Sequence, residues 1–309
     1  MPELRAGDRQ WLVAPGINLL DALNGAGLAV PYSCRAGSCH ACLVRCVSGE
    51  PLDALPEALD ARKRDLGWRL SCQCRVVDDL SVEIFDPLRD GSPATVVASD
   101  WLSATVLHLR LEPERPLRYR AGQHLVLWTA SGVARPYSLA SLPGEDPFLE
   151  FHIDCRYSGA FVDVARTLKP GDPIRLGELR GGALHYDPDW QERPLWLLAA
   201  GTGLGPLWGV LREALRQQHQ GAIRVMHVAR EHYLTAELQA LAAEHPQLQI
   251  ELIGPDDFQA ALSGLRVTSR QTIALVCGSP ASVEAYSKRL YIAGLPRSQL
   301  LADVFLEKV

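Results

Sequence analysis

The stretch Tyr32–Glu50, YSCRAGSCHACLVRCVSGE, places Cys34, Cys39 and Cys42 within nine residues, with Cys46 close behind. Cys72, in LSCQCRV, follows Cys42 after 29 intervening residues. Free cysteine is usually sparse and buried, so core packing does not explain three thiols crowded into one short run. The residues between the first two are Arg35 and then the small Ala36, Gly37 and Ser38. Small residues let backbone N–H groups approach a bound centre, and glycine permits positive φ. The N-terminal MPELRAGDRQWLVAPG mixes charges and carries no signal-type apolar segment. No apolar run nears the roughly 18–20 residues of a membrane span. A cytoplasmic location, without membrane association, is therefore expected. There, eight cysteines point to metal, redox work or burial rather than disulfides.

The spacing Cys34-x4-Cys39-x2-Cys42…Cys72 is the plant-type [2Fe–2S] arrangement. Two irons bridged by two sulfides need four thiolates, and one loop can supply three while a distant segment supplies the fourth. Zinc on Cys39, Cys42, Cys72 and Cys74 is the competing assignment, and it leaves Cys34 and the small-residue loop unused. Cys72 and Cys74, two apart on an expected strand, would face the same side. Spacing favours Cys72 as ligand, with Cys46 and Cys74 as small buried hydrophobes. His40 is expected exposed at the cluster rim. CRAGSCHAC, the following VSGE and LSCQ resemble the plant-type ferredoxin family, which implies a β-grasp fold over residues 1–86. NLLDALNGAGL supports this independently. Leu19, Leu20 and Leu23 form a helical stripe, Asn18 is a candidate N-cap and Gly25 a candidate stop. LSVEIFDP alternates like a strand.

A chain of 309 residues leaves room for two or three domains of about 100–200 residues. DPLRDGSPATV, with two prolines, a glycine and no apolar period, reads as a connector. Short strands such as SATVLHLRLEP, HLVLWTA and LEFHIDC then recur between Gly and Pro, as in an antiparallel sandwich or barrel. Among them lies ARPYSLAS. With YRAGQHLVL before it and LKPGDPIRL after it, it resembles the flavin domain of the ferredoxin–NADP reductase family. That likeness implies a flavin along Arg135, Tyr137 and Ser138. Arg135 offers a forked cation to phosphate, Tyr137 a flat face to the ring, and Ser138 a small polar group near the flavin N5. The second flavin motif, YSGAFVDVARTL, keeps Ser158, Gly159 and Ala160, but Phe161 and Val162 stand where relatives often carry hydroxyls. FAD is expected, with FMN the minority alternative.

RPLWLLAAGTGLGPLWGVLREAL runs from an apolar strand through Gly201, Thr202, Gly203, Leu204 and Gly205 into a helix. Such a turn, at the carboxyl end of a strand, is where open α/β sheets bind phosphate. AIRVMHVAR, LTAELQALAAEH, QIELIG, TIALVCGSP and ASVEAYSKRLYIAG continue the strand–helix alternation of a parallel sheet. GTGLGP and CGSP resemble the nicotinamide-binding domain of the same reductase family. The resemblance implies pyrophosphate over the turn, Cys277 and Gly278 beside the nicotinamide, Ser138 and Cys277 as the catalytic pair, and Phe305 as a shield for the flavin. Arg230 followed by Glu231, without a basic pair, favours NADH over NADPH.

The fold class expected is α+β and α/β multidomain. A β-grasp ferredoxin domain takes residues 1–90 and a linker 91–97. An antiparallel β-barrel flavin domain takes 98–190, and a parallel α/β nicotinamide-binding domain 191–309. This order resembles the reductase component of bacterial multicomponent oxygenases, Rieske-type or related. The likeness implies electron flow from NAD(P)H through flavin to the [2Fe–2S] cluster and on to a separate oxygenase or ferredoxin-like acceptor. That acceptor would dock transiently at the rim around Arg35, Ser38 and His40, and the reductase would be a monomer. A reductase serving a nucleotide-sugar dehydratase and a non-catalytic redox sensor are the alternatives. A net charge of −5 argues against nucleic-acid binding. No Ser/His/Asp set is evident, and the nine histidines receive no catalytic role.

Overall fold

The structure is a computed structural model and describes residues 1–306. Asn18 has extended backbone, and its side chain accepts a hydrogen bond from the Asp21 amide, starting the helix Leu19–Gly25 as expected. Leu19, Leu20 and Leu23 of that helix are fully buried. Each such burial stabilises by about 1.5–3 kcal/mol. They share a core with Leu4, Val44, Leu70 and Val82 of the neighbouring sheet.

That sheet has the order Arg9–Leu12, Glu3–Ala6, Leu80–Ile84, Leu43–Ser48, Trp68–Leu70. Glu3–Ala6 and Leu80–Ile84 pair in parallel, and the other pairs are antiparallel. A mixed sheet with one helix on its core is the β-grasp arrangement. Cys72 and Cys74 do not share a strand as expected. Cys72 lies in the 3-10 turn Ser71–Gln73, and Cys74 opens the strand Cys74–Val76. The turn breaks the alternation, so the two thiols part.

The chain forms two compact units. The first holds Met1–Pro93, Val126–Pro136 and Ile174–Arg180. In it, residues 134–136, 126–128 and 174–180 run as neighbouring strand segments in that order, and Phe85 stacks on Trp128 with centroids 5.3 Å apart. The second unit holds Ala94–Leu125, Tyr137–Pro173 and the chain from Gly181 on. There Val106–Pro113 pairs antiparallel with both Ser92–Trp101 and Leu149–Asp154, with an irregularity at Arg110/Leu111. Of the connector expected at 91–97, Ser92 onward is already strand.

The second unit also carries the parallel sheet Leu248–Ile253, Ile223–Val228, Leu195–Ala200, Ile273–Gly278, Leu300–Val304. Numbered along the chain, the order is 3-2-1-4-5. The order reverses between Leu195–Ala200 and Ile273–Gly278, and ligands of such sheets bind at that switch point. No helix among the described residues is long and apolar enough to cross a membrane.

Candidate redox and dinucleotide sites

The four cysteines of the spacing pattern meet two by two. Cys34 and Cys39 lie within interaction range of each other, and so do Cys42 and Cys72. These interactions draw Cys34 down to about 4 and Cys72 to about 7. Their partners Cys39 and Cys42 are pushed up, by the same interactions first and by burial second. Among the described residues, no three metal-ligating side chains converge on one point. A single tetrahedral zinc would need all four thiols around one centre. Two pairs suit a binuclear centre, in which each iron takes two terminal thiolates. The donor set therefore fits a [2Fe–2S] cluster.

Local backbone explains how the loop presents these sulfurs. Arg35, Gly37 and His40 all have positive φ, at 50°, 80° and 55°. Only the glycine does so without steric cost, so Arg35 and His40 hold strain of about 1–2 kcal/mol each. The winding aims the amides of Ala36 and Cys39 at the Cys34 sulfur, each 3.3 Å away. A Cβ on Gly37 would stand 2.7 Å from Leu55 Cδ2. The fourth cysteine is fixed separately. Asn18 Nδ2 donates to the Cys72 carbonyl at 2.9 Å, and Gln73 Nε2 to the Cys72 sulfur at 3.2 Å. Ser71 is fully buried and gives the Cys42 carbonyl two hydrogen bonds, from Oγ at 2.9 Å and N at 3.1 Å. It thus ties the third cysteine to the segment carrying the fourth. Cys46 and Cys74 stay outside this set, and burial raises both.

His40 corrects its expectation. It is 3% exposed, not part of the rim. Its positive φ turns the ring inward, where Nδ1 lies 3.0 Å from Glu178 Oε2. Lys63 meets the other Glu178 oxygen. Burial, with Arg180 and Lys63 adding, lowers His40 to about 4. Arg35 and Ser38 remain exposed.

Arg135, Tyr137 and Ser138 follow one another along Ala134–Ser138, each half-buried. Arg135 Nη1 bonds the Ala134 carbonyl at 2.9 Å. Tyr137 leans on Phe161, with centroids 4.9 Å apart and planes at 50°. Phe161, which departs from the usual hydroxyl at its position, is thus a buried prop for the tyrosine. Ser158 spends its hydroxyl on Asp163, at 2.6 Å, and Gly159 caps the short helix Ala160–Ala165.

The Leu195–Ala200 strand opens into Gly201, whose φ is +55°. A Cβ on Gly203 would stand 2.3 Å from the Cys277 carbonyl oxygen, so only glycine lets the turn meet the end of Ile273–Gly278. Thr202 sits between these glycines, and Leu204–Arg216 is the helix that follows. Cys277 is fully buried, and burial keeps its thiol neutral. The Phe305 amide donates to the Gly278 carbonyl at 2.8 Å. Its half-buried ring packs on the core that holds Cys277. Arg230 is exposed. The Glu231 carboxylate is taken by the Ala104 amide at 2.9 Å and the Thr105 hydroxyl at 3.1 Å. Those bonds lower its pKa and turn it to the Ser92–Pro113 hairpin. Sequence reasoning missed the histidines His152 and His227 around this turn. A histidine inside the largely apolar strand AIRVMHVA was the signal for the second.

The model of the 2Fe-2S iron-sulfur cluster binding domain matches residues 6–77, and that of the oxidoreductase NAD-binding domain matches residues 197–288. The chain is 30% identical to the ferredoxin–NAD(P)+ reductase component of the naphthalene 1,2-dioxygenase system of Pseudomonas putida, over 94% of each chain. It is 31% identical to the reductase subunit of an Amycolatopsis aromatic O-demethylase, over 90% of this chain and 91% of that one. The crystal structure of Amycolatopsis cytochrome P450 reductase GcoB superposes with a TM-score of 0.67 at 28% identity, over 99% of both chains. The ferredoxin reductase in carbazole 1,9a-dioxygenase shares the fold, with a TM-score of 0.65 at 21% identity over 99% of this chain and 98% of that one.

Proposed function

The chain belongs to the family of ferredoxin–NAD(P)+ reductase components of oxygenase systems, and from that premise we propose how its own residues divide the work. It is an oxidoreductase that takes electrons from NAD(P)H and delivers them through an iron–sulfur domain. When bound, a flavin supplies the exchange between two-electron hydride chemistry and the single-electron chemistry of the cluster.

Cys34 with Cys39, and Cys42 with Cys72, would hold the irons of the cluster. The pairing of these four thiols carries this reading. The amides of Ala36 and Cys39 and the Gln73 side chain donate to the sulfurs and favour the more negative state. Arg135 would offer its cation to a flavin phosphate, and Ser158, Gly159 and Ala160 would offer phosphate the opening of their helix. Tyr137, braced by Phe161, lies against the ring. Ser138 holds the N5 edge. FAD is favoured over FMN.

Gly201, Thr202, Gly203 and Gly205 cradle the dinucleotide pyrophosphate. Cys277 and Gly278 line the nicotinamide. The buried Cys277 thiol stays protonated, so it positions the ring by shape and forms no adduct. Phe305, tethered at Gly278, covers the flavin when the nicotinamide is away. Arg230 is the sole permanent cation in residues 229–235, which supports NADH over a 2′-phosphorylated donor.

The acceptor is an oxygenase component or a ferredoxin-like protein, docking transiently on exposed Arg35 and Ser38. The reductase acts as a cytoplasmic monomer. Residues 1–90 form the ferredoxin domain, 91–97 the linker, 98–190 the flavin domain and 191–309 the nicotinamide domain.

The test is a visible spectrum of anaerobically purified protein, with iron and flavin analysis and titration with NADH and NADPH. Flavin bands over iron–sulfur shoulders, bleached more readily by NADH, are expected. In Cys39→Ser, cytochrome c reduction should vanish while most ferricyanide reduction survives. Equal loss of both activities, or zinc in place of iron, overturns the reading.

A further inference from the structure

Two buried histidines bear on the glycine turn from outside the motif that defines it. His227 stands on the Ile223–Val228 strand with no exposed surface, and its Nε2 lies 3.0 Å from the Gly201 carbonyl oxygen. A carbonyl only accepts, so Nε2 carries the proton and Nδ1 keeps a lone pair. His232 Nδ1 lies 3.3 Å from that lone pair and therefore donates to it. One carbonyl thus sets the tautomers of both rings. Burial lowers His227 to about 4, which keeps it in this neutral form at working pH.

The wall continues beneath the turn. His227 meets the Tyr233 ring edge-on at 5.5 Å, and Tyr233 meets His152 at 5.3 Å. A Cβ on Gly205 would stand 3.2 Å from His152 Nδ1. That nitrogen is buried without a hydrogen-bond partner among the described residues, and the Tyr233 hydroxyl is influenced by the Gly205 amide. Nothing in apolar packing calls for so many polar rings at the two ends of one turn. His227 meets its backbone at Gly201 and His152 at Gly205.

In a trans peptide the carbonyl and the following N–H point in opposite directions. With the Gly201 carbonyl drawn onto His227, the Thr202 N–H faces away from the imidazole. We propose that His227 is a positioning residue for the nicotinamide dinucleotide, its Nε2–H holding the Gly201 carbonyl so that the amides of the turn face the pyrophosphate. This rests on the reading of residues 201–205 as the pyrophosphate cradle. His227 acts through Gly201 and does not touch the hydride.

The experiment uses the full chain with its cofactors bound. NAD+ binding is measured by isothermal titration calorimetry, and KM and kcat with NADH and ferricyanide. His227→Leu removes the side-chain donor and leaves only the Leu204 amide on the Gly201 carbonyl, and His227→Gln restores a side-chain donor at nearly the same place. In His227→Leu, Kd for NAD+ and KM for NADH should each rise about tenfold, with kcat within twofold of wild type. His227→Gln should lie within threefold of wild type on every measure. Wild-type binding by His227→Leu, or binding by His227→Gln as weak as that of His227→Leu, overturns the role. A wild-type chain that binds neither NAD+ nor NADH overturns the cradle reading and this inference together. A measurement on the wild type stands apart from how the variants fold. The imidazole 15N resonances of His227 should shift on addition of NAD+, and their staying in place under saturating NAD+ counts against the proposal.

Discussion

The cysteine loop of residues 34–42 and the glycine turn of residues 201–205 both bend through left-handed backbone, but they present different atoms. In the loop the working atoms are side-chain sulfurs, and the backbone serves them. Arg35 and His40 accept unfavourable φ so that amides can reach Cys34. In the turn, as the proposed pyrophosphate cradle, the working atoms are backbone amides, and side chains serve them. Gly203 clears the Cys277 carbonyl, and His227 holds the Gly201 carbonyl. A site made of side chains writes its identity into residue types at fixed spacing. A site made of backbone leaves only glycines and scatters its supports over other strands.

The largest test of that contrast is Cys42→Ser. It should abolish the iron–sulfur absorption and the matching electron paramagnetic resonance signal while NAD+ binding stays at the wild-type level. Coupled loss of NAD+ binding would merge the two sites and break the comparison. Gly203→Ala is the mirror experiment. Its Cβ meets backbone, which cannot move aside as a side-chain tip can. A cost of about 3 kcal/mol is expected, read as a lower urea midpoint and weaker NAD+ binding with iron content unchanged.

A smaller effect separates the turn by pH. His152 stays neutral in the folded state to about 3, mainly because it is buried, with His108 adding, against an ordinary value of 6.5. Below 6.5 the unfolded chain binds a proton that the folded chain refuses. Stability therefore falls as pH drops from 6.5 toward 3. Between pH 7 and pH 5 this histidine alone should account for about 2 kcal/mol. His152→Gln should flatten the pH dependence of urea unfolding by that amount, and an unchanged slope refutes the assignment. Smallest is Ser71→Ala, which removes one of two hydrogen bonds to the Cys42 carbonyl. It should cost about 1 kcal/mol and speed cluster loss in air, with no effect on KM for NADH.

Much of this molecule is legible in its sequence. The leucine stripe with its Asn18 cap fixed one helix, since 3.6-residue periodicity and a capping side chain are local properties. The apolar runs of 195–200 and 273–278 came out as adjacent parallel strands. What stayed hidden depended on distant partners. The burial of His40 needs Glu178, which lies 138 residues away. Its left-handed backbone has no signature in residue type. The parting of Cys72 from Cys74 came from a 3-10 turn that strand alternation cannot foresee. Glu231, the acidic neighbour of Arg230 in the sequence argument for NADH, is bound by a hairpin more than a hundred residues earlier.

The sequence by itself determined which atoms can do chemistry here. Four thiols at diagnostic spacing, an Arg-Pro-Tyr-Ser run and two glycine turns are written in residue identity, and identity alone sets ligand softness, charge and backbone freedom. Tertiary structure decided how those atoms are held. It sorted the thiols into two pairs, buried Cys277 as a neutral group and placed His227 under Gly201. Those outcomes arise from burial and from hydrogen bonds between segments far apart in the chain, and neither exists until the chain has folded.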